Sequence, residues 1–169
     1  MIVLPENLEV PSTRLEAADR VLYRECEYLN LGSYDQWLAL FSEDCLYWAP
    51  LAPGQDDAKS HSSLFHENRE LMRMRIDRIT HEAAHSLAGG IRTSRTAGPA
   101  ALREIEEESG DWIVERRFQM TERQGERTRL FAGLCTYRLT PGRESFLIRE
   151  KRVDLIDCDQ PHEPLEVFF

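Results

Sequence analysis

Two histidines four positions apart form the pattern in this sequence that most directly suggests chemistry. His81 and His85 enclose Glu82 in the arrangement H-E-x-x-H. On a helix, this spacing places both imidazoles on one face, where they bind Zn2+ while the glutamate acts as a general base. Here the pattern follows an apolar helical stripe and ends just before Gly89-Gly90, so the required helix is expected to stop. We therefore predict a helix end or loop without a metal, and retain a zinc hydrolase as one alternative function.

Acidic, aromatic and imidazole side chains in the first half of the chain suggest a second chemistry. Enzymes that isomerise or dehydrate small molecules use an Asp or His base and a Tyr donor in a cavity. The candidates for these roles are Asp44, Tyr47 and His66, with Trp48 and Asp77 as further candidates. Each candidate also has a structural explanation. Asp44 fits a turn, the aromatic residues Tyr47 and Trp48 fit the core or an interface, and His66 and Asp77 fit polar positions on a helix. We therefore expect no catalytic residue, and keep a stand-alone dehydratase or isomerase as the other alternative.

Cofactor and nucleophile motifs are absent from the printed sequence. It has no C-x-H paired with C-x-x-H, which a Rieske cluster requires, no G-x-G-x-x-G, and no G-x-S-x-G. The four cysteines are far apart and form no C-x-x-C pair, so we expect free thiols rather than disulfides. No cofactor is therefore predicted in this chain.

Charge and hydropathy exclude several classes of partner. The formal net charge is −9 at pH 7, which disfavours nucleic acid and anionic membrane surfaces. No apolar run approaches the roughly 20 residues that span a bilayer. The first eleven residues have neither the basic nor the apolar region of a signal peptide, so a cytoplasmic location is expected.

Apolar periodicity predicts helices first and strands afterwards. Capping-box pairs at Thr13/Glu16 and Ser33/Gln36 open two helices, and a third follows a loop rich in Pro, Gly and Asp. After that the period changes to two, and turn dipeptides separate long strands. Helices are predicted at 13–32, 33–41 and 63–79, and strands at 45–49, 91–96, 101–108, 112–121, 128–139 and 145–156. The prediction is one α+β domain spanning 1–169, with the helices packed in the concave face of a long, strongly curved, mainly antiparallel sheet.

The segment 37–50 carries a family resemblance. Its pattern is W-L-A-L-F-S-E-D-C-L-Y-W-A-P, and three further features follow it in a fixed order. They are Ser94-Arg95-Thr96, two long strands around 131–137 and 146–153, and the apolar end 165–169. In that order they resemble the small (beta) subunits of bacterial aromatic-ring-hydroxylating dioxygenases, the Rieske non-haem iron oxygenases. The segment 81–90 departs from the family, whose members usually have a short polar connection there.

The resemblance implies a fold and a role. The fold is the cone, or open barrel, of the cystatin-like type shared with ketosteroid isomerase, scytalone dehydratase and nuclear transport factor 2. The role is to support assembly with a large alpha subunit, often as α3β3 with a trimer of small subunits, in aromatic compound catabolism. The Rieske [2Fe-2S] cluster and mononuclear Fe(II) are expected in that alpha subunit, and the family has no universal catalytic residue to transfer to this chain.

Interface residues are the last prediction from the sequence. Mixed charges at 115–117 and 149–152 are suited to pairing across subunits, and the apolar end of the chain is expected either to fold into the core or to lie in a subunit contact. The interface candidates are Trp48, Arg95, Arg116, Arg149, Arg152, Phe168 and Phe169.

Overall fold

The computed structural model describes residues 12–81, 91–143 and 145–169. Its helices are α1 (Ser12–Leu31), α2 (Tyr34–Leu38) and α3 (Arg69–Thr80). Its strands are β1 (Phe41–Pro50), β2 (Ser63–Asn68), β3 (Ile91–Ala97), β4 (Ala101–Ile105), β5 (Trp112–Gln124), β6 (Arg127–Pro141) and β7 (Phe146–Leu155). Apart from strands β1 and β2, which come before α3, the helices therefore precede the strands of the sheet, as the periodicity predicts.

All seven strands form one sheet with the order β2-β1-β7-β6-β5-β3, and β4 pairs with β5. Every pairing is antiparallel except that of β1 with β7. Helix α1 packs against β3 and β7, and α3 packs against β1 and β2. The α+β fold with N-terminal helices against a large curved sheet is therefore confirmed.

Helix α1 is held by an apolar stripe and closed by a glycine. Ala18, Leu22 and Leu29 are buried at helical spacing. Gly32 has φ +67°, and the amide N–H of Ser33 donates to the Tyr28 carbonyl at 2.8 Å, which is the bonding pattern of a Schellman end. The helix begins at Ser12, one residue before the predicted start.

The second predicted helix was too long. Ser33 makes no side-chain capping bond, so the expected capping box does not form. Helix α2 ends at Leu38, and Phe41 already begins β1, where its side chain is buried. Phe41 lies at helical spacing from Trp37, but an aromatic residue fits a buried strand position equally well. Periodicity alone therefore could not distinguish a helix from a strand at Phe41.

The start of the third predicted helix was wrong. Residues Ser63–Asn68 form β2, which pairs antiparallel with β1, and the helix begins only at Arg69. Asn68 caps it, since its Oδ1 accepts a hydrogen bond from the amide of Leu71 at 2.9 Å. Leu64 lies at helical spacing from the apolar residues of α3, although it belongs to the strand that comes before the cap.

Two hairpins show how local turn chemistry sets strand lengths. Strand β4 ends at Ile105, three residues earlier than predicted, because Glu106 opens a turn in which Gly110 adopts φ +71°. Strands β5 and β6 are longer than predicted and pair up to Gln124 and Arg127. The loop between them has only two residues, and its Gly125 has φ +56°, which a tight hairpin requires.

The core lies between the helices and the inner face of the sheet. Burial alternates along β5, with Trp112, Val114, Phe118 and Met120 inward, as the sequence predicts. Within the described part of the chain, no helix has both the length and the apolar character needed to cross a membrane.

Candidate functional site: the filled interior and the outer face

Residues 167–169, hereafter the tail, lie inside the cone. Phe168 and Phe169 are 0% and 2% exposed. The Phe168 ring centroid is 4.3 Å from that of Trp37, and the Phe169 ring packs edge-on to Phe131 at 5.1 Å and stacks with Phe65 at 6.0 Å. Of the two positions expected for the apolar end, the core is therefore the one it takes.

Side chains from the surrounding elements hold the tail by its backbone. The guanidinium of Arg75 donates to the Val167 carbonyl at 3.4 Å, and that of Arg95 donates to the carbonyl of Phe168. Lys151 Nζ donates to the backbone oxygen of Phe169. The amide of Phe169 in turn donates to the Tyr47 hydroxyl at 2.9 Å.

A buried carboxylate completes this interior. Glu25 on α1 is 3% exposed and Lys151 on β7 is 1% exposed, and the two form an ion pair. Glu25 also accepts from Trp37 Nε1 at 3.0 Å and from the Tyr137 hydroxyl at 3.4 Å. Lys151 Nζ lies 5.5 Å from the centroid of the Tyr137 ring, within range of a cation–π contact. We call Glu25, Tyr47, Tyr137 and Lys151 the interior cluster.

Burial dominates the protonation of the interior. It raises the pKa of the Tyr47 hydroxyl and that of Tyr137, and it raises the pKa of the Cys135 thiol to about 11. It also lowers the pKa of the Arg95 guanidinium, although the charge of Glu25 opposes the effect. The phenols and the thiol therefore stay neutral at pH 7 and act as hydrogen-bonding groups.

The three catalytic candidates are not brought together. Tyr47 is in the core, whereas Asp44 and His66 are exposed. Asp44 pairs with Arg149 at 3.2 Å, and that carboxylate has a lowered pKa mainly because the Ser42 hydroxyl donates to it. His66 is opposite Trp48 in the β1–β2 ladder, one residue away from Tyr47 and so on the other face.

The histidine pair lies almost entirely outside the described residues. His81 is the C-cap of α3 and has extended backbone angles, φ −64° and ψ 135°, so the helix has ended where the pattern begins. Glu82 and His85 lie in the segment 82–90, which the structure does not describe. Asp77 lies at an exposed position on α3, which agrees with the polar helix position predicted for it. This exposure does not support the alternative role in a cavity that was suggested for it. Among the described residues no three His, Cys, Asp or Glu side chains form a group that could hold a metal ion.

The outer face of the sheet carries a network of charges around a β-bulge in β7. The register shifts between Arg138 and Leu139 of β6, so that β7 has one extra residue there and Arg149 is unpaired. Arg149 contacts Asp44 at 3.2 Å and Asp111 at 3.5 Å, while Arg138 pairs with Glu106 at 2.6 Å. We call Asp44, Glu106, Asp111, Arg138 and Arg149 the outer network.

A buried tryptophan adjoins the outer network. Trp48 is 2% exposed but lies apart from the apolar core cluster. Its Nε1 donates to Glu150 at 2.8 Å, and the guanidinium of Arg152 lies 4.9 Å above its ring. Arg152 is held in turn by two hydrogen bonds to Asp154 at 2.6 and 2.7 Å.

The predicted interface residues divide between the two faces. Arg149 and Arg152 lie on the outer face with Trp48. Arg95 and Arg116 instead point inward, because Arg95 bonds to the tail and Arg116 donates to the Leu22 carbonyl of α1 at 2.8 Å. Phe168 and Phe169 lie in the core, so these two present no surface to another subunit.

Sequence reasoning missed Glu25 and wrongly placed Lys151 among the charges at 149–152 that pair across subunits, although both residues leave a signal. Glu25 lies on the apolar stripe of α1 between Leu22 and Leu29, where an acid needs a buried partner. In β7 the apolar residues change parity from Phe146 and Ile148 to Val153 and Leu155, which indicates an extra residue between them. After that change, Lys151 falls on the inner face.

The comparisons with known proteins agree on one family. Residues 24–159 match the family model described as the ring hydroxylating beta subunit. An alignment over 91 positions, which covers 48% of the chain, is 35% identical to the small oxygenase component of the p-cumate 2,3-dioxygenase system of Pseudomonas putida. That stretch covers 50% of the relative, so the chain spans about half the length of the curated relatives it matches.

Solved structures share the fold. The beta subunit of benzoate 1,2-dioxygenase from Burkholderia mallei superimposes with a TM-score of 0.65 at 23% identity, over 80% of this chain and 86% of that one. A naphthalene 1,2-dioxygenase structure with indole in its active site gives a TM-score of 0.76 at 15% identity, over 97% and 89%. At these identities, the likeness is one of fold.

Proposed function

The chain belongs to the family of ring-hydroxylating beta subunits, and on that premise we propose that it is the small subunit of an aromatic-ring-hydroxylating dioxygenase. In this role it supports assembly with a Rieske-type large alpha subunit and contributes no reacting group. The observation that carries the proposal is the filled interior. A cone enzyme of this fold needs an open cavity with acid and base groups, whereas here the tail occupies the interior.

The separation of the catalytic candidates supports the same conclusion against a stand-alone dehydratase or isomerase. A general base must come within hydrogen-bond reach of the proton that it removes. Asp44 and His66 face solvent while the Tyr47 hydroxyl accepts from the amide of Phe169, so the three cannot serve one substrate.

The expected cofactors do not fit the side chains of this chain. A Rieske cluster takes two cysteines and two histidines. Cys45, Cys135 and Cys158 are buried in the core cluster, and the sequence has no C-x-H motif beside any of its four cysteines. We therefore assign the [2Fe-2S] cluster and the mononuclear iron to the alpha subunit.

For the assembly we propose an α3β3 complex with a trimeric layer of small subunits. A threefold interface joins two different patches on each subunit. The outer network supplies groups of both signs for such patches, since Arg149 is 45% exposed and Asp44 64% exposed although they already pair with each other. Charge pairs at the rim of an interface mainly fix orientation and partner choice.

Co-expression tests the assignment. Produced with a Rieske-type large subunit from the same genome, the chain is expected to elute in an equimolar complex of hexamer size, measured by size-exclusion chromatography with light scattering. Ring-hydroxylating activity should require both chains. A chain that remains monomeric and neither binds nor supports any such large subunit would contradict the assignment.

Substitution of the former catalytic candidates separates a supporting subunit from an enzyme. In the assembled complex, Asp44→Asn and His66→Ala should leave turnover within a few-fold, because general acid–base groups usually supply about 10²–10⁴-fold. Tyr47→Phe belongs to the same test once its complex is shown to be intact. A loss of 10²-fold or more in a fully assembled, iron-loaded complex would favour direct chemistry by this chain.

A further inference from the structure

We propose that the interior of the cone is a binding site for aromatic carboxylates, and that the tail occupies this site in the structure. The proposal goes beyond the supporting role above and does not depend on it. It rests on three observations about the tail: the box around its terminal ring, the polar groups around its backbone, and the way in which it is attached.

The ring of Phe169 lies in a box of aromatic side chains. Phe65 stacks on it with an interplanar angle of 10°, Phe131 packs edge-on, and the Phe118 centroid is 6.1 Å away. These three come from β2, β6 and β5, so the box belongs to the sheet and remains when the tail is absent. Aromatic groups prefer such offset and edge contacts, which favours a flat ring as the occupant.

The polar surroundings match an acid attached to that ring. Lys151 donates to the backbone oxygen of Phe169, and Arg95 donates to the neighbouring carbonyl of Phe168. Hydrogen bonds from cations are strongest when the acceptor is also charged. Among the described residues, the Arg95 guanidinium bonds only to uncharged oxygens, those of Thr93 and Phe168, and its Nε has no partner. At Arg95, an anion would therefore be held better than the Phe168 carbonyl now present.

Within the described part of the chain, the tail is held by side chains and not by strand pairing. No backbone–backbone hydrogen bond joins residues 161–169 to the remainder of the described chain. The contacts come instead from side chains: Arg129 to the Pro164 carbonyl, Arg75, Arg95 and Lys151 to the tail, and Tyr47 to the Phe169 amide. Removal of the tail consequently breaks no strand pairing.

The test uses the full chain with Phe168→Gly and Phe169→Gly together. This variant loses both rings that anchor the tail while the sheet and the cations remain. We expect 3-phenylpropanoate to raise its Tm by about 3–5 °C at ten times the dissociation constant, measured by calorimetry. The neutral 3-phenylpropanamide should bind at least about tenfold more weakly, because it lacks the charge that Lys151 and Arg95 recognise. The wild-type chain, with its site filled, should shift by less than about 1 °C under the same conditions.

A matched variant removes Lys151, one of the two cations, and keeps Arg95 and the box. Lys151→Met is combined with Glu25→Gln, so that neither member of the Glu25–Lys151 pair is left without its partner. In the glycine background this double substitution should reduce the preference for the acid over the amide by at least about threefold, and the preference that remains is due to Arg95. If the glycine variant that keeps Lys151 binds the acid and the amide equally well, the interior is an apolar cavity only. If neither compound stabilises that variant, no site exists. Either result overturns the proposal.

A measurement on the wild-type chain decides the case if the glycine variant does not unfold cooperatively. Aromatic acids that compete with the tail should accelerate hydrogen exchange at the Phe168 and Phe169 amides in proportion to their concentration. The amides of β6 should be unaffected, because the sheet stays closed. Unchanged exchange of the tail amides up to 50-fold more 3-phenylpropanoate than protein, with both at millimolar levels, overturns the proposal.

Discussion

At the scale of single residues, the Glu25–Lys151 pair shows how a charge is accommodated in an apolar interior. Removing two charges from water costs several kcal/mol per ion, so the pair is tolerated only with further hydrogen bonds. Trp37 and Tyr137 donate to the carboxylate, and Lys151 bonds to Phe169. Because these partners come from α1, α2, β6, β7 and the tail, the pair fixes how those segments meet rather than adding much net stability.

The Cys135 thiol gives a prediction for pH dependence. Burial raises its pKa from 9.0 to about 11, so above pH 9 the unfolded chain releases a proton that the folded chain retains. Stability from this group is complete below pH 9 and is lost as the pH rises towards 11. Cys135→Ala should therefore make the fall in unfolding free energy between pH 9 and 11 shallower, by up to about 1 kcal/mol per pH unit. Urea unfolding at three pH values measures this, and parallel curves for variant and wild type would contradict it.

At the scale of elements, the bulge in β7 decides which charges face the interior. Without the extra residue, strict alternation from Phe146 and Ile148 would turn Glu150 inward and Lys151 outward. The shift places Lys151 opposite Glu25 and leaves Arg149 and Glu150 on the outer face. One inserted residue therefore serves both the interior cluster and the outer network.

Gly133 in β6 gives a prediction at the same scale. An ideal Cβ at this position would overlap the backbone carbonyl of Asp154 in β7, which cannot move without distorting the pairing. Gly133→Ala should cost at least about 2 kcal/mol of unfolding free energy, as overpacking against backbone does. Gly98→Ala is the control, because its Cβ would lie 3.7 Å from the Arg117 carbonyl, an ordinary contact. Chemical unfolding compares the two, and equal losses would argue against a close approach at Gly133.

Several elements could be predicted from the sequence, and the failures have specific causes. The long strand β5 alternates cleanly and ends at a glycine turn, so its inward face was predicted correctly. Residues 63–68 were misassigned because strand pairing with β1, a contact between segments, outweighed a local helical spacing. The interior was missed because it combines residues from opposite ends of the chain, which no local pattern relates.

At the scale of the whole molecule, the tail functions as part of the core. Phe168 contacts Trp37, Tyr47 and Tyr34, so it connects α2 with β1 through the centre of the fold. The guanidinium of Arg75 also lies 5.1 Å from its ring. Helices, sheet and tail thus share one packed interior.

This shared interior predicts a large loss on truncation of one ring. Phe168→Ala should lower the unfolding free energy by about 3–5 kcal/mol, the usual cost of deleting a buried aromatic side chain. Leu130→Ala is the control, since Leu130 is 66% exposed and its truncation should change stability by no more than about 0.5 kcal/mol. Denaturant midpoints at a constant slope measure both, and similar small effects would mean that the tail does not pack as described.

The parallel pairing of β1 with β7 has a consequence for how the chain acquires its structure during synthesis. Phe41 meets Ile148 and Tyr47 meets Lys151, and the hydrogen bonds of the interior join residues 126 and 122 positions apart. Such contacts must wait until residues 148–169 have left the ribosome, and their high contact order slows the search for them. Until then, β1 exposes an unpaired edge and α1 exposes an apolar stripe, which are the features that chaperones bind and that aggregate at high expression. Yield in a foreign host should therefore depend on the rate of synthesis and on growth temperature more than the stability of the finished fold alone would suggest.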